Sequence, residues 1–148
     1  MNIQVNTDQI KVLEDFFYEL SNADQRKIFI AGFRKAAKPL VNAARNNAPF
    51  NTGNLRRSIG TIEMPQEIAI LVGAKKGGSY KGWHGHLVEN GTVMRFRKNG
   101  GSTGKVVGKH FFENAYNLVE GVMYDRIEDE WFNAIDQYIV KVNKKIKS

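Results

Sequence analysis

Apolar residues fall at three- and four-residue spacing in three stretches of the chain and alternate with polar ones in several shorter stretches between them. Ile10, Leu13, Phe16, Phe17 and Leu20 share one face of a short helix predicted from Asp8 to Leu20, behind a Thr7 or Asp8 cap. Asn22, with Gln25 three residues on, offers the cap of a second helix. Its apolar positions are Phe29, Phe33, Ala36, Ala37, Leu40, Val41, Ala44 and Ala48, and one face is expected to pack against a sheet. Pro39 removes a backbone donor from this pattern and crowds the carbonyl four residues back, so a bend near Lys35 is expected, with a break there as the alternative. Ala48-Pro49 ends the helix, and Asn51-Thr52-Gly53 supplies turn chemistry.

From Leu55 the pattern reads as a strand, with Leu55, Ile59 and Ile62 set among Arg56, Arg57, Ser58 and Thr61. Glu67 to Gly73 alternates more strictly, and apolar residues at Ile68, Ile70 and Val72 as well as Ala69 and Leu71 predict a strand inside a sheet, covered on both faces. Lys75 to Gly82 is a basic, glycine-containing loop. Trp83 to Glu89 returns to alternation and predicts a third strand. Residues 90–109 hold five glycines among Arg95, Arg97, Lys98 and Lys105, too long for a hairpin turn and expected as a flexible loop, with short extended pieces at Val93 to Phe96 and Lys105 to Val107. A helical stripe of Phe112, Ala115, Val119, Val122, Ile127, Trp131, Ile135, Tyr138, Val142 and Ile146 predicts a long C-terminal helix. The fold class expected is α+β: an antiparallel sheet of three to five strands packed against a long helix, with the C-terminal helix beside it.

At 148 residues the chain suits one domain with one core. Twenty-two Lys and Arg against 15 Asp and Glu give a formal charge of +7, which suits an acidic partner or nucleic acid. No cysteine is present, which excludes disulfides and thiolate chemistry. No apolar run approaches the ~20 residues that cross a bilayer, and the first eight residues lack the basic and apolar regions of a leader. A soluble, unsecreted protein with no membrane contact is expected.

Few residues suggest bond-making chemistry. His84, His86 and Glu89 form the one cluster with metal-ligand types, and in a strand Glu89 would face away from the histidines. No Gly-x-Ser-x-Gly elbow occurs, and the glycine-lysine pairs lack the spacing of a phosphate-binding loop. Asp125, Glu128, Asp129 and Glu130 read as a solvated helix face. No catalytic residue, metal or cofactor is assigned.

Three pieces in order carry a resemblance to a known family. They are the Ala-rich basic helix running into Pro49, the turn Thr52-Gly53-x-Leu55-Arg56-x-Ser58, and the phrase Glu89-Asn90-Gly91-Thr92. Together they resemble the gene-ten-like tail components of long-tailed bacteriophages, over roughly residues 25–120. Lys109 to Ala115 stands where such proteins carry a Pro-Phe-Leu-x-Pro-Ala phrase, with both prolines replaced. The resemblance implies a virion structural protein at the head–tail junction, in the neck or completing the tail, assembled in the host cytoplasm as a homo-oligomeric ring around the DNA channel. Its partners would be other neck and tail proteins, and it would be no enzyme. Arg57, Lys75, Lys76, Lys81, Arg95, Arg97, Lys98 and Lys105 are the candidate assembly or DNA contacts. The alternative is a DNA-binding protein in which these cations, with Arg56, meet phosphates and Tyr80, Trp83 and Phe96 stack on bases.

Overall fold

The computed structural model describes Asp15, Tyr18, Leu20 and residues 22–146. The first predicted helix therefore lies outside the described residues except at those three positions, of which Asp15 and Tyr18 are helical. Two helices follow, α1 (Asn22–Ala36) and α2 (Lys38–Asn47), separated by a turn at Ala37. Pro39 near the start of α2 is the cause of the break, because it offers no N–H to the carbonyl of Lys35. Ala48 leaves the helix with an extended backbone ahead of Pro49, as the proline requires.

The first residues of the strand expected from Leu55 instead form one and a half turns of helix, α3 (Asn54–Ser58), entered through Gly53 at φ 73°. Only Leu55 and Ser58 of this segment are buried. Its arginines reach back to carbonyls of the preceding turn, which the compact helical form allows and a strand would not. The chain becomes extended at β1 (Ile59–Glu63), which pairs antiparallel with β2 (Ile70–Ala74), Ile59 opposite Ala74 and Glu63 opposite Ile70.

The second predicted strand thus begins three residues late, and it is not covered on both faces. Ile59, Val72 and Ala74 turn into the core, whereas Leu71 on the other face is 53% exposed. The third predicted strand is also corrected. Trp83 is 62% exposed, and Gly85–Asn90 forms helix α4, its first turn closed by Leu87 and Val88 N–H groups on the His84 carbonyl. Gly85 permits this, because a Cβ there would lie 2.9 Å from that of Ala74.

Beyond α4 the chain makes a small hairpin, β3 (Arg95–Phe96) with β4 (Ser102–Gly104), closed at its base by a bridge between Gly91 and Val107. Of the two expected extended pieces, the first holds at Arg95–Phe96, whereas Ser102 to Gly104 and not Lys105 to Val107 supplies the second strand, Val107 making only the bridge. In place of a sheet of three to five strands, the described residues hold two sheets of two strands each. Helix α5 (Phe111–Ile146) runs 36 residues, about 54 Å at the usual rise.

Helix α5 replaces the expected sheet as the surface on which the other helices lie: α1 packs along its C-terminal half and α2 along its N-terminal half. Leu40, Ala43, Ala44, Ala48, Leu55, Ile59, Phe111 and Ala115 form the main core, with Met123 and Val119 packed against it. A second cluster joins Ile28 to Ala134 and Ile135. Alanines along α2 keep the helix axes close, so a sheet is unnecessary to cover them. Two arginines fix α1 to the β1–β2 turn: Arg26 donates to the carbonyls of Met64 (2.6 Å) and Glu67, and Arg34 pairs with Glu63.

Candidate functional site

The Glu89-Asn90-Gly91-Thr92 phrase is the foot of the hairpin arm. Glu89 stands in the last turn of α4, yet its carboxylate caps the start of α5. Oε2 accepts the Phe112 N–H at 2.8 Å and Oε1 accepts the Glu113 N–H at 3.0 Å. Two first-turn donors with no partner inside their own helix are satisfied by one negative charge at the positive end of the helix. In return, the carbonyls of Val88 and Glu89 accept N–H groups of Lys109 (2.8 Å) and His110 (3.1 Å).

Gly91 crosses Gly108 at this foot. A Cβ on Gly91 would approach the Val106 carbonyl oxygen to 2.5 Å, and one on Gly108 would approach the Glu89 carbonyl oxygen to 2.6 Å. Gly91 also sits at φ 77°, ψ −167°, a region essentially reserved for glycine. Thr92 completes the foot, its N–H donating to the Val106 carbonyl and its Oγ1 accepting the Val106 N–H, both at 2.9 Å. The arm leaves this hydrogen-bonded base and is exposed at every residue from Val93 to Thr103.

The other motif, Thr52 to Ser58, knots the end of α2. Arg56 donates from Nε to the Ala48 carbonyl at 2.8 Å and covers the Phe50 ring at 5.3 Å. Arg57 donates to the Thr52 carbonyl and to Asn54 Oδ1, while Thr52 Oγ1 accepts weakly from the Asn54 N–H at 3.4 Å. Ser58, fully buried, donates its hydroxyl to the Leu55 carbonyl at 2.7 Å. Arg45, which the sequence reading did not single out, donates two hydrogen bonds to the Ile59 carbonyl and ties α2 to β1. Pro49 and Phe50 stand beside this turn, with His84 and Val88 across a cleft from them.

The eight candidate contact residues divide. Arg57 is held locally and Lys75 lies over the Tyr80 ring at 5.1 Å. Lys76 and Lys81 are exposed on the loop before α4, and Arg95, Arg97, Lys98 and Lys105 are exposed on the arm. The histidine pair is not one site. On a helix residues two apart diverge, and His84 borders the Phe50 cleft while His86 borders a cleft with Glu89 and Phe112. A different trio converges: ligand atoms of Glu89, His110 and Glu113 lie within 4.8 Å of one another. This geometry is that of the helix cap, with His110 Nδ1 3.1 Å from Glu113 Oε2 and both Glu89 oxygens already accepting amides.

Residues 11–91 match the family model described as "Bacteriophage HK97-gp10, putative tail-component". The chain belongs to this family. The match starts earlier than the three motifs suggested and stops at Gly91, at the foot of the arm, so the arm and α5 lie beyond it. Neither the curated proteins nor the solved structures compared with the chain gave a match. As a phage tail component the protein is a structural part of the virion, and among the described residues no helix is long and apolar enough to cross a membrane.

Outward from the packed face of this tail component, α5 shows a second pattern. Leu118, Val122, Asp125, Asp129, Phe132, Asp136 and Ile139 follow one another at intervals of four and three, and all are exposed. Val122, a member of the stripe expected along this helix, belongs to the outer row, and Met123 packs inward instead.

Proposed function

We propose that this tail component acts at the head–tail junction, in the neck or at the tail end that meets it, as a ring of identical copies around the DNA channel. The family supplies the virion role, and the exposed arm on a hydrogen-bonded foot supports the ring. An arm that carries Val93 at 81% exposure, with Met94, Phe96 and Val107 also exposed, is an apolar surface of the kind that neighbouring subunits cover. A ring needs two different patches that meet head to tail. Other neck and tail proteins would contact its two faces, after assembly in the host cytoplasm, and no step of the role needs a reacting group.

The experiment is removal of the gene from a phage that carries it. Heads filled with DNA and separate, unjoined tails are expected in the lysate, with joining restored by the purified protein. Normal yields of complete particles would overturn the reading. Direct DNA contact is a second reading, favoured by the exposed cations Lys76, Lys81, Arg95, Arg97, Lys98 and Lys105. It requires affinity for duplex DNA that falls steeply with added salt, and absence of binding at low salt removes it.

A further inference from the structure

The arm and the outer row of α5 are complementary in both charge and polarity. Residues 91–109 carry five basic side chains and no acidic one, whereas residues 111–140 carry seven acidic side chains and one arginine. Glu130 is turned inward to Lys35 and Arg126, but Asp125, Asp129 and Asp136 stand in the exposed row between Leu118, Val122, Phe132 and Ile139. On the arm, Arg95, Arg97 and Lys98 stand among Met94 and Phe96, of opposite sign to the row, with a shift in the ladder register between Arg95 and Phe96.

Lengths also agree. From Leu118 to Ile139 the row runs about 32 Å along the helix, and from the Gly91–Val107 bridge to the turn at Asn99 the arm extends about 26 Å. The spacing of the row resembles a coiled-coil seam. Two copies of the same row facing each other would oppose aspartates along its middle, which disfavours a symmetric helix pair.

We infer that the β3–β4 arm of one copy docks along the outer row of α5 in the next copy. Phe96 and Met94 cover Phe132, Val122 and their apolar neighbours, while Arg95 and Arg97, alternating to the arm's other face, reach round its edge with their long side chains to Asp125 and Asp129. The contact is heterologous, so each copy gives an arm and receives one, and a chain of such contacts closes when its rotation permits. This inference rests on the ring reading above and names the two surfaces that make the ring.

The test uses the full chain, freed of nucleic acid by nuclease, in sedimentation velocity over a range of concentrations. One variant spoils the arm (Phe96→Glu with Arg97→Glu) and another spoils the row without reversing its charge (Asp129→Ser with Phe132→Ser). Each alone is expected to sediment as a monomer where the natural sequence is assembled, with association at least about tenfold weaker. Mixed in equal amounts, they should form a dimer and nothing larger, because one intact arm meets one intact row. Far-UV circular dichroism verifies that helix is retained, and Lys98→Glu with Lys105→Glu replaces the arm variant if it is not.

Assembly of either folded variant like the natural sequence overturns the arm–row contact while leaving a ring built by other surfaces. A mixture that stays monomeric overturns the pairing of these two surfaces. A natural chain that is monomeric throughout overturns both this contact and the self-assembling ring. Association present before nuclease treatment and absent after it is carried by nucleic acid and overturns the inference.

Discussion

Gly32 of α1 lies against the indole of Trp131 in α5, so closely that a Cβ on the glycine would come within 2.2 Å of the indole Cδ1. Phe29 and Phe33 flank the same indole edge-on, with ring centroids 5.3 Å and 5.2 Å away. The missing side chain at Gly32 is what lets the two helices approach here. The indole N–H is buried without a hydrogen-bond partner in the structure, so the site uses Trp131 for its shape and area.

Gly32→Ala is therefore expected to destabilise the fold by about 1–3 kcal/mol through overpacking, even though alanine favours helix. Urea unfolding followed by far-UV circular dichroism measures it. Trp131→Phe should cost less than Trp131→Ala, since no indole hydrogen bond is lost. Equal losses for the two would contradict the packing described.

Glu89→Ala removes the acceptor for two amides at the start of α5 and should lower stability by about 1–3 kcal/mol. The larger effect is expected at the foot of the arm, because Glu89 is where α4, Lys109-His110 and α5 meet. Amide exchange at Phe112 and Glu113 should speed up, together with that at Thr92. Gly91→Ala should produce the same loosening by strain and collision with the Val106 carbonyl, and unchanged exchange in both variants would refute the role given to this phrase.

Arg56→Lys is expected to behave almost like Arg56→Ala, with each losing about 1 kcal/mol. A lysine cannot hold the Ala48 carbonyl and cover the Phe50 ring in one planar arrangement. Thermal unfolding of the two variants side by side decides this, and a lysine variant as stable as the natural chain would count against it.

Tyr116 and Tyr124 share a hydrogen bond of 3.2 Å two turns apart on α5. The bond to Tyr124, followed by burial, pushes the pKa of Tyr116 from 10.0 up to about 12. The neutral phenol is the favoured form in the fold, so the contribution is complete below pH 10 and disappears as pH rises through about 12. In an absorbance titration one tyrosine should ionise late, and Tyr124→Phe should bring it back toward the ordinary range.

Several features could be read from residues alone, and they are those fixed by local covalent geometry. Pro39 and Pro49 remove donors and restrict their neighbours wherever they stand, so an interruption shortly before Pro39 and the end of α2 followed from sequence. The long periodic run after Phe111 was equally legible. Alternation was a poorer guide: Trp83, Gly85 and Leu87 alternate with polar residues as a strand would, but Gly85 pressed on Ala74 made a helix the better fit. The order of the motifs led to the family, whereas the positions of the functional charges did not follow, because a list of cations does not say which are held by backbone carbonyls.

The sequence by itself determined the helix that starts at Asn22, its interruption before Pro39, the long helix after Phe111 and the phage tail-component family, since each depends on residues near one another in the chain. Only the tertiary structure decided that α5, and not a broad sheet, carries the other elements, that Glu89 caps a helix beginning 22 residues later, and that Val122 faces out while Met123 faces in. Those outcomes depend on which surfaces meet across long separations, and burial, which periodicity leaves ambiguous by a rotation of the helix, is settled only when the opposing surface is in place.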